Sequence, residues 1–316
     1  MMLARTSPGC RDVDVPLPLP LARWGEAAKA RLSGPAEGPL LVVLGGISAN
    51  RFVCSGPDGE PGWWPGLVGP GCAMDPARHR ILGLDFAADP DGRHAPSTAD
   101  QAAVLGVVLD AVGASVADAV IGASYGGMVA LALAAEAPER VRRLVAVSAP
   151  AAPHPAATAL REMQRRVVAL GLESGAGREA LAIARGIAML SYRTPEEFAQ
   201  RFAGGLVGDD ALGMSDAGAY LRARGRAWCE VMPPGRFLSL SASIDRHRVD
   251  PDRVACPVLL IGAVSDGLVP PAQLEALHAA LPDSSLHLLD SLYGHDMFLK
   301  DADRLAPLLD RFLDLP

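Results

Sequence analysis

Short apolar runs alternate with helical segments along most of the chain. The clearest runs are Leu40 to Leu44, Arg80 to Asp85, Ala117 to Ala123 and Val141 to Val147. A short apolar run that ends in turn residues is typical of a strand buried on both faces. Because segments with helical spacing, such as 98–113, separate these runs, the pattern predicts a parallel sheet with helices on both faces.

The pattern changes between residues 151 and 250, where charged amphipathic segments follow one another with no clear strand. Helices are predicted around 157–171, 177–190, 195–204 and 216–228. After residue 250 the alternation returns, and we expect strands at 257–266 and 285–290 and helices at 271–281 and 301–314. This pattern predicts an α/β core domain (1–150 and 251–316) with a helical lid (151–250) inserted between the sixth and seventh strands.

Composition and charge are those of an ordinary globular chain. Of its 316 residues, 50% are hydrophobic and 21% are charged, and the formal net charge is −7. The chain has no long basic stripe, so nucleic acid is not an expected partner. No apolar run reaches the roughly 18 residues that span a bilayer. The proline-rich N-terminal stretch has no apolar signal region. We therefore expect a cytoplasmic protein without a membrane partner.

The cysteine and histidine content indicates neither disulfides nor a metal. Five cysteines occur, an odd number without a Cys-x-x-Cys pair. Free thiols in a reducing compartment are the expected state. Because no cluster of histidines and carboxylates has ligand spacing, we predict no metal site and no bound cofactor.

A nucleophile elbow is predicted at Gly122-Ala123-Ser124-Tyr125-Gly126, which lies between a predicted buried strand and a predicted helix. The elbow is so sharp that side chains two residues before and after the serine would collide. The hydroxyl then projects above the sheet at a helix N-terminus, where free N–H groups favour an oxyanion. We therefore predict an α/β-hydrolase fold with Ser124 as nucleophile. A glycine-rich turn with an incidental serine is the alternative.

The acid and the base are expected after the lid, because α/β-hydrolases place the triad in the chain order serine, acid, histidine. Asp266 ends the predicted strand at 257–266, and His295 follows the last predicted strand. Asp290 is an alternative acid, but it lies one strand later. We predict that Ser124, Asp266 and His295 are the catalytic residues.

An oxyanion hole requires a second donor from the loop that follows the strand at 40–44. We predict that the backbone N–H groups of Gly46 and Tyr125 form this hole. A tight turn at Gly45-Gly46 is compatible with the same role.

Four segments together resemble the homoserine O-acyltransferases of methionine biosynthesis, most closely the homoserine O-succinyltransferase branch. They read LGGISANRF, GASYGGMVALALA, AMLSYRTPEEFAQRF and YGHDMFLKD, and the likeness runs from about residue 40 to the C-terminus. The resemblance implies a ping-pong reaction in which the serine takes a succinyl group from succinyl-CoA. The hydroxyl of L-homoserine then accepts this group. A serine–histidine–aspartate triad matches this chemistry.

The resemblance also implies substrate-binding residues and a quaternary state. Arg193 falls on the family's substrate arginine, and Asp296 falls on the aspartate that follows the catalytic histidine. An arginine can hold the carboxylate of homoserine bidentately, and an aspartate can take its ammonium. Each residue would otherwise serve as a helix cap. The resemblance further implies a homodimer, for which we consider an apolar face of the lid as the candidate contact.

The acyl donor and the acceptor stay open at this point. A succinyl group carries a terminal carboxylate that needs a cation, for which Arg51 is a candidate. An acetyl donor, a serine acceptor and plain ester hydrolysis are the alternatives, since one methylene gives only about 1–3 kcal/mol of discrimination. Arginines of the lid, such as Arg161 and Arg165, either meet the phosphates of CoA or form solvated helix faces.

Overall fold

An eight-stranded sheet forms the centre of the protein. The computed structural model describes residues 9–56, 59–206 and 209–314. The first eight residues, part of the stretch predicted to lack a signal region, lie outside this range. The strand order is β1-β2-β4-β3-β5-β6-β7-β8. The strands are β1 (Gly9–Pro16), β2 (Ala27–Gly34), β3 (Leu40–Leu44), β4 (Arg80–Leu84), β5 (Ala119–Ala123), β6 (Leu144–Val147), β7 (Val258–Ala263) and β8 (Ser284–Leu289).

The sheet is parallel from β4 across to β8, whereas β1 and β2 extend one edge in antiparallel pairing. Every residue of β3, β5, β6 and β7 is buried. Such strands are expected where helices cover both faces of a sheet. The predicted mostly parallel sheet is therefore confirmed, and the antiparallel pair is an addition at its polar edge.

Helices pack on both faces of this sheet. Those of the core are α1 (Thr98–Ala111), α2 (Tyr125–Glu136), α8 (Pro271–Ala280), α9 (Met297–Lys300) and α10 (Ala302–Leu313). Adjacent residues of a strand point to opposite faces. Accordingly, Val42 packs into one apolar core with Leu105 of α1, and Val43 packs into the other with Leu309 of α10. None of the described helices is long and apolar enough to cross a membrane.

A helical insertion separates β6 from β7. Its described helices are α3 (Pro155–Glu173), α4 (Gly177–Tyr192), α5 (Pro195–Arg201), α6 (Asp216–Trp228) and α7 (Pro234–Asp245). The predicted insertion between the sixth and seventh strands is confirmed. The division of the chain into a core at 1–150 and 251–316 and a lid at 151–250 stays a prediction.

The sequence pattern does not predict α7, because serines occupy its buried face. Ser239, Ser241 and Ser243 are almost fully buried, where an amphipathic helix normally carries apolar residues. Each of them finds a tertiary partner. Ser239 accepts a hydrogen bond from the backbone of Asp89 at 3.0 Å, and Ser243 bonds the Tyr125 hydroxyl at 2.6 Å. These contacts hold α7 against the loop after β4 and against the start of α2.

His247, just after α7, ties the end of the insertion to the core. Its Nε2 donates to the carbonyl of Pro150 at 2.9 Å, so its Nδ1 accepts from the hydroxyl of Thr98 at 2.8 Å. Burial lowers the pKa of His247 to about 4, which keeps the ring neutral near pH 7. The ring is therefore a fixed link between α1, the loop after β6 and the insertion.

Candidate active site

Ser124 occupies the corner between β5 and α2. Its backbone has φ 54° and ψ −120°, a conformation that non-glycine residues rarely adopt. A Cβ on Gly122 would lie 2.3 Å from the carbonyl oxygen of Gly126, and one on Gly126 would lie 2.4 Å from that of Leu44. The two glycines therefore let the chain make the sharp turn that presents the serine at the N-terminus of α2.

A hydrogen-bonded relay joins Ser124 to His295 and Asp266. The Ser124 Oγ lies 2.8 Å from His295 Nε2, and His295 Nδ1 lies 2.8 Å from Asp266 Oδ2. The carboxylate can only accept, so Nδ1 carries the proton and Nε2 is free to accept from the serine hydroxyl. This is the arrangement by which an imidazole takes a proton from a serine nucleophile.

Asp266 is held in place by its second oxygen. Its Oδ1 accepts from the backbone N–H groups of Leu268 and Val269, each at 2.9 Å. The side chain is 1% exposed. Both carboxylate oxygens are thus satisfied away from water, as a buried charge requires. Of the two carboxylates considered from the sequence, Asp266 contacts His295, whereas Asp290 is exposed.

The pKa of His295 reflects two opposing effects. Burial by itself would lower this pKa, because the charged ring loses its hydration. The negative charge of Asp266 and its hydrogen bond act in the other direction and outweigh burial, so the pKa of His295 lies above its ordinary value of 6.5. The ring therefore becomes a stronger base, and it protonates at a higher pH than a free histidine.

His295 stands on a short turn that contacts the lid. The turn, Gly294–Asp296, begins with a glycine at φ 56°. A Cβ on Gly294 would lie 2.9 Å from the carbonyl oxygen of Tyr192, at the end of α4. The ring of Tyr192 lies 6.0 Å from that of His295. The insertion thus forms one wall around the proposed base.

The loop after β3 lies against the elbow. The N–H of Gly126 donates to the carbonyl of Gly45 at 2.9 Å. Gly46 and Tyr125 line the same cavity as Ser124. Their positions are compatible with an oxyanion hole at this spot, and that role stays a prediction.

A cavity of about 230 Å³ contains the Ser124 and His295 side chains. Most of its wall is apolar, formed by residues of the elbow, the loop after β3 and the insertion. The lining includes Met128, Leu160, Ile244, Leu268, Val269, Phe298, Arg161, Arg185, Tyr192 and Asp296. The described residues contain no group of three or more histidine, cysteine or carboxylate side chains arranged to hold a metal ion. A cavity of this kind takes a mainly apolar group with a few polar ends.

The predicted substrate residues Arg193 and Asp296 are bonded to each other. The Nε of Arg193 lies 3.1 Å from Asp296 Oδ2, and its Nη1 lies 2.9 Å from the Tyr220 hydroxyl and 3.4 Å from Glu197. Asp296 lines the cavity, whereas Arg193 lies behind it with an 8% exposed side chain. A zwitterion that used both residues would have to open their ion pair.

The sequence does not show which residues of the insertion line the cavity. Arg161, Arg185 and Tyr192 come from helices that the spacing predicts, but nothing in the spacing shows which of their faces meets the elbow. Arg51 pairs with Asp85 at 2.6 Å and is not among the described residues that line the cavity.

Comparison with known proteins places the chain in a family. A family model for the alpha/beta hydrolase fold matches residues 39–174. A homoserine O-succinyltransferase of Xanthomonas campestris pathovar campestris is 42% identical over 297 residues, which cover 92% of this chain and 80% of that protein. This chain belongs to the homoserine O-acyltransferase family. It is therefore an acyltransferase built on the α/β-hydrolase fold.

Other members of the homoserine O-acyltransferase family differ in acyl donor. A homoserine O-acetyltransferase of Deinococcus radiodurans is 34% identical over 267 residues, which cover 79% of this chain and 77% of that protein. The crystal structure of a homoserine O-acetyltransferase from Bacillus anthracis matches with a TM-score of 0.83 and 15% identity, over 98% of this chain and 97% of that chain. This structural likeness supports the fold alone.

Proposed function

We propose that this protein transfers a succinyl group from succinyl-CoA to the hydroxyl of L-homoserine, a step of methionine biosynthesis. The observation that carries the acyl transfer is the relay from Ser124 through His295 to Asp266, beside a mostly apolar cavity. The choice of succinyl and of homoserine is supported by the 42% identical relative, which bears that activity in its name.

In the first half-reaction Ser124 Oγ attacks the thioester carbonyl while His295 Nε2 takes the hydroxyl proton. The tetrahedral oxyanion accepts from the N–H groups of Gly46 and Tyr125. When the carbon–sulfur bond breaks, His295 returns its proton to the sulfur and CoA leaves. The products are free CoA and an ester of Ser124.

In the second half-reaction the acceptor hydroxyl attacks the ester of Ser124, and His295 takes its proton. The carbon–oxygen bond to Ser124 then breaks, and His295 gives the proton back to Ser124 Oγ. The acceptor's ammonium binds Asp296 on the cavity wall, next to the base, and its carboxylate binds Arg193 after their ion pair opens. This places the acceptor hydroxyl near the ester and keeps water away.

Intact-protein mass spectrometry after brief mixing with succinyl-CoA or acetyl-CoA tests the donor. We expect a succinyl adduct on the wild-type protein and none on Ser124→Ala, because only the serine hydroxyl forms the ester. The same adduct on Ser124→Ala would contradict the mechanism. If only acetyl-CoA gave an adduct, the donor would be acetyl-CoA instead of succinyl-CoA, and the proposed acyl transfer would still hold.

The acceptor is tested by the rate of CoA release with L-homoserine and L-serine at equal concentration. We expect homoserine to raise this rate more than serine does. A rate that neither amino acid changes would indicate a hydrolase.

Arg193→Ala should raise the homoserine concentration needed for half-saturation while the first half-reaction stays unchanged. Arg201→Ala is the matched control, because Arg201 bonds the same Glu197 but is more exposed.

A further inference from the structure

Arg185 places a cation in the wall of the cavity that holds Ser124. It lies on α4 two helical turns before Tyr192, so both side chains project from one face of the helix. Its guanidinium lies over two rings, 5.3 Å from the centroid of Tyr192 and 4.8 Å from that of Trp228. Such stacking uses the face of the guanidinium and leaves its in-plane N–H donors for another partner.

Three other arginines near the cavity, Arg161, Arg165 and Arg193, are already neutralised. Arg161 and Arg165 share Asp245, each with a 2.6 Å contact. Arg193 pairs with Asp296 and Glu197. By contrast, no carboxylate within the described ranges forms an ion pair with Arg185. Among the described residues, the contacts that stabilise the charge of Arg185 are thus those with the two aromatic rings.

The two rings under Arg185 contact other residues of the same cavity. The ring of Tyr192 lies 6.0 Å from His295, whose Nε2 contacts Ser124. The indole Nε1 of Trp228 donates to Ser48 Oγ at 3.0 Å, and Ser48 belongs to the loop after β3 that lines the cavity. The cation therefore lines the same cavity as Ser124, and its two supporting rings connect it to His295 and to the loop after β3.

We propose that Arg185 binds the terminal carboxylate of a dicarboxylic acyl group carried by Ser124, and that it thereby selects such groups over uncharged ones. The inference rests on the proposed acyl transfer. A carboxylate that enters a mostly apolar cavity loses hydration, and an arginine with free N–H donors compensates for that loss by a charge-assisted, bidentate contact. An acetyl group would leave this cation without a partner.

The experiment compares the rates at which succinyl-CoA and butyryl-CoA acylate Ser124, followed by intact-protein mass spectrometry. Butyryl has the same chain length with a methyl group in place of the carboxylate. For Arg185→Met we expect succinylation to fall about 10- to 100-fold while butyrylation is kept or improved. Arg185→Lys retains the charge but lacks the planar guanidinium, so its succinylation rate should fall less than that of Arg185→Met. Arg178→Met, on an exposed part of α4 and paired with Glu230, is the matched control and should resemble wild type.

Each outcome decides between the inference and the proposed function. If Arg185→Met lowers the rates of succinylation and butyrylation equally, or lowers neither rate, Arg185 does not bind the carboxylate. If the wild-type protein takes butyryl or acetyl but not succinyl, the inference fails while acyl transfer stands. If no acyl-CoA modifies Ser124, the proposed function itself fails. Thermal unfolding shows whether each variant is folded. If Arg185→Met is misfolded, the ratio of the succinylation rate to the butyrylation rate in Arg185→Lys decides.

Discussion

At the residue scale, the relay depends on how Asp266 is fixed. Two backbone N–H groups hold one of its oxygens, and His295 holds the other. A carboxylate held in this way does more than stabilise charge. It selects the imidazole tautomer whose Nε2 faces the serine, because only a protonated Nδ1 satisfies it. The orientation of the base is thereby set before any substrate enters.

The raised pKa of His295 predicts the pH dependence of acylation. The ring must be neutral to accept a proton, so the rate should fall as the pH decreases through a value above 6.5. In Asp266→Asn the raising charge is lost while burial remains, so the apparent pKa should drop. The rate itself should fall by about 10⁴-fold, since the tautomer is no longer fixed.

Single-turnover acylation measured against pH checks both effects. Asp290→Asn, an exposed aspartate after the next strand, is the control and should keep the wild-type profile. An Asp266→Asn protein with an unchanged apparent pKa would show that another group sets the profile.

The motif and the chain order together were enough to name residues that the fold brings together, namely Ser124, Asp266 and His295. Each of these residues lies after the end of a predicted strand, and local sequence patterns locate strand ends well. The contacts of Arg193 and Arg185 depend instead on how lid helices cross the core. A one-dimensional pattern contains no information on such crossings, so neither the ion pair with Asp296 nor the stacked cation follows from it.

At the scale of elements, the strand–helix junction at β5 and α2 depends on close backbone packing. We predict that Gly122→Ala lowers the free energy of unfolding by about 1–3 kcal/mol, because its Cβ would lie 2.3 Å from the Gly126 carbonyl oxygen. Acylation should be lost with it, since the elbow must shift. Gly106→Ala, inside α1 with no atom within 4 Å of the new Cβ, should instead raise stability by about 0.5–1 kcal/mol.

Urea unfolding of the two variants measures these changes, with equal slopes indicating that only stability differs. Similar midpoints for Gly122→Ala and wild type would mean that the backbone of the elbow accommodates a methyl group. In that case the glycines would not be the cause of the sharp turn.

Most elements were predictable, and the exceptions have physical causes. The apolar runs at β3, β5 and β7 and the helical spacing of α3, α4 and α6 agree with the structure to within a few residues. The pattern missed α7, since its buried serines bond to Asp89 and Tyr125 rather than to apolar neighbours. Partners so distant in the sequence leave no local trace.

At the scale of the whole molecule, exposed apolar residues are concentrated in the insertion. Nine of the twelve large hydrophobic residues that are exposed in the described ranges lie between residues 163 and 231. They include Ile183 and Leu190, which are 50% and 54% exposed and share one face of α4. Exposed apolar residues gathered on one helix face are typical of a contact surface, so we expect this face of α4 to be covered.

We predict that a second copy of the chain covers it, giving a homodimer through the insertion. Light scattering should report twice the 32.9 kDa mass of the chain.

Replacing Ile183 and Leu190 together by glutamate should shift the protein to monomer, because paired like charges at a two-fold contact repel and lose hydration. The Leu19→Glu variant is the control and should remain dimeric, because Leu19 is 88% exposed but lies outside the insertion. A monomeric wild-type protein, or a double variant that stays dimeric, would move the contact elsewhere or remove it. Since α4 also carries Arg185 and Tyr192, a dimer through this helix would hold the cavity wall in place from outside.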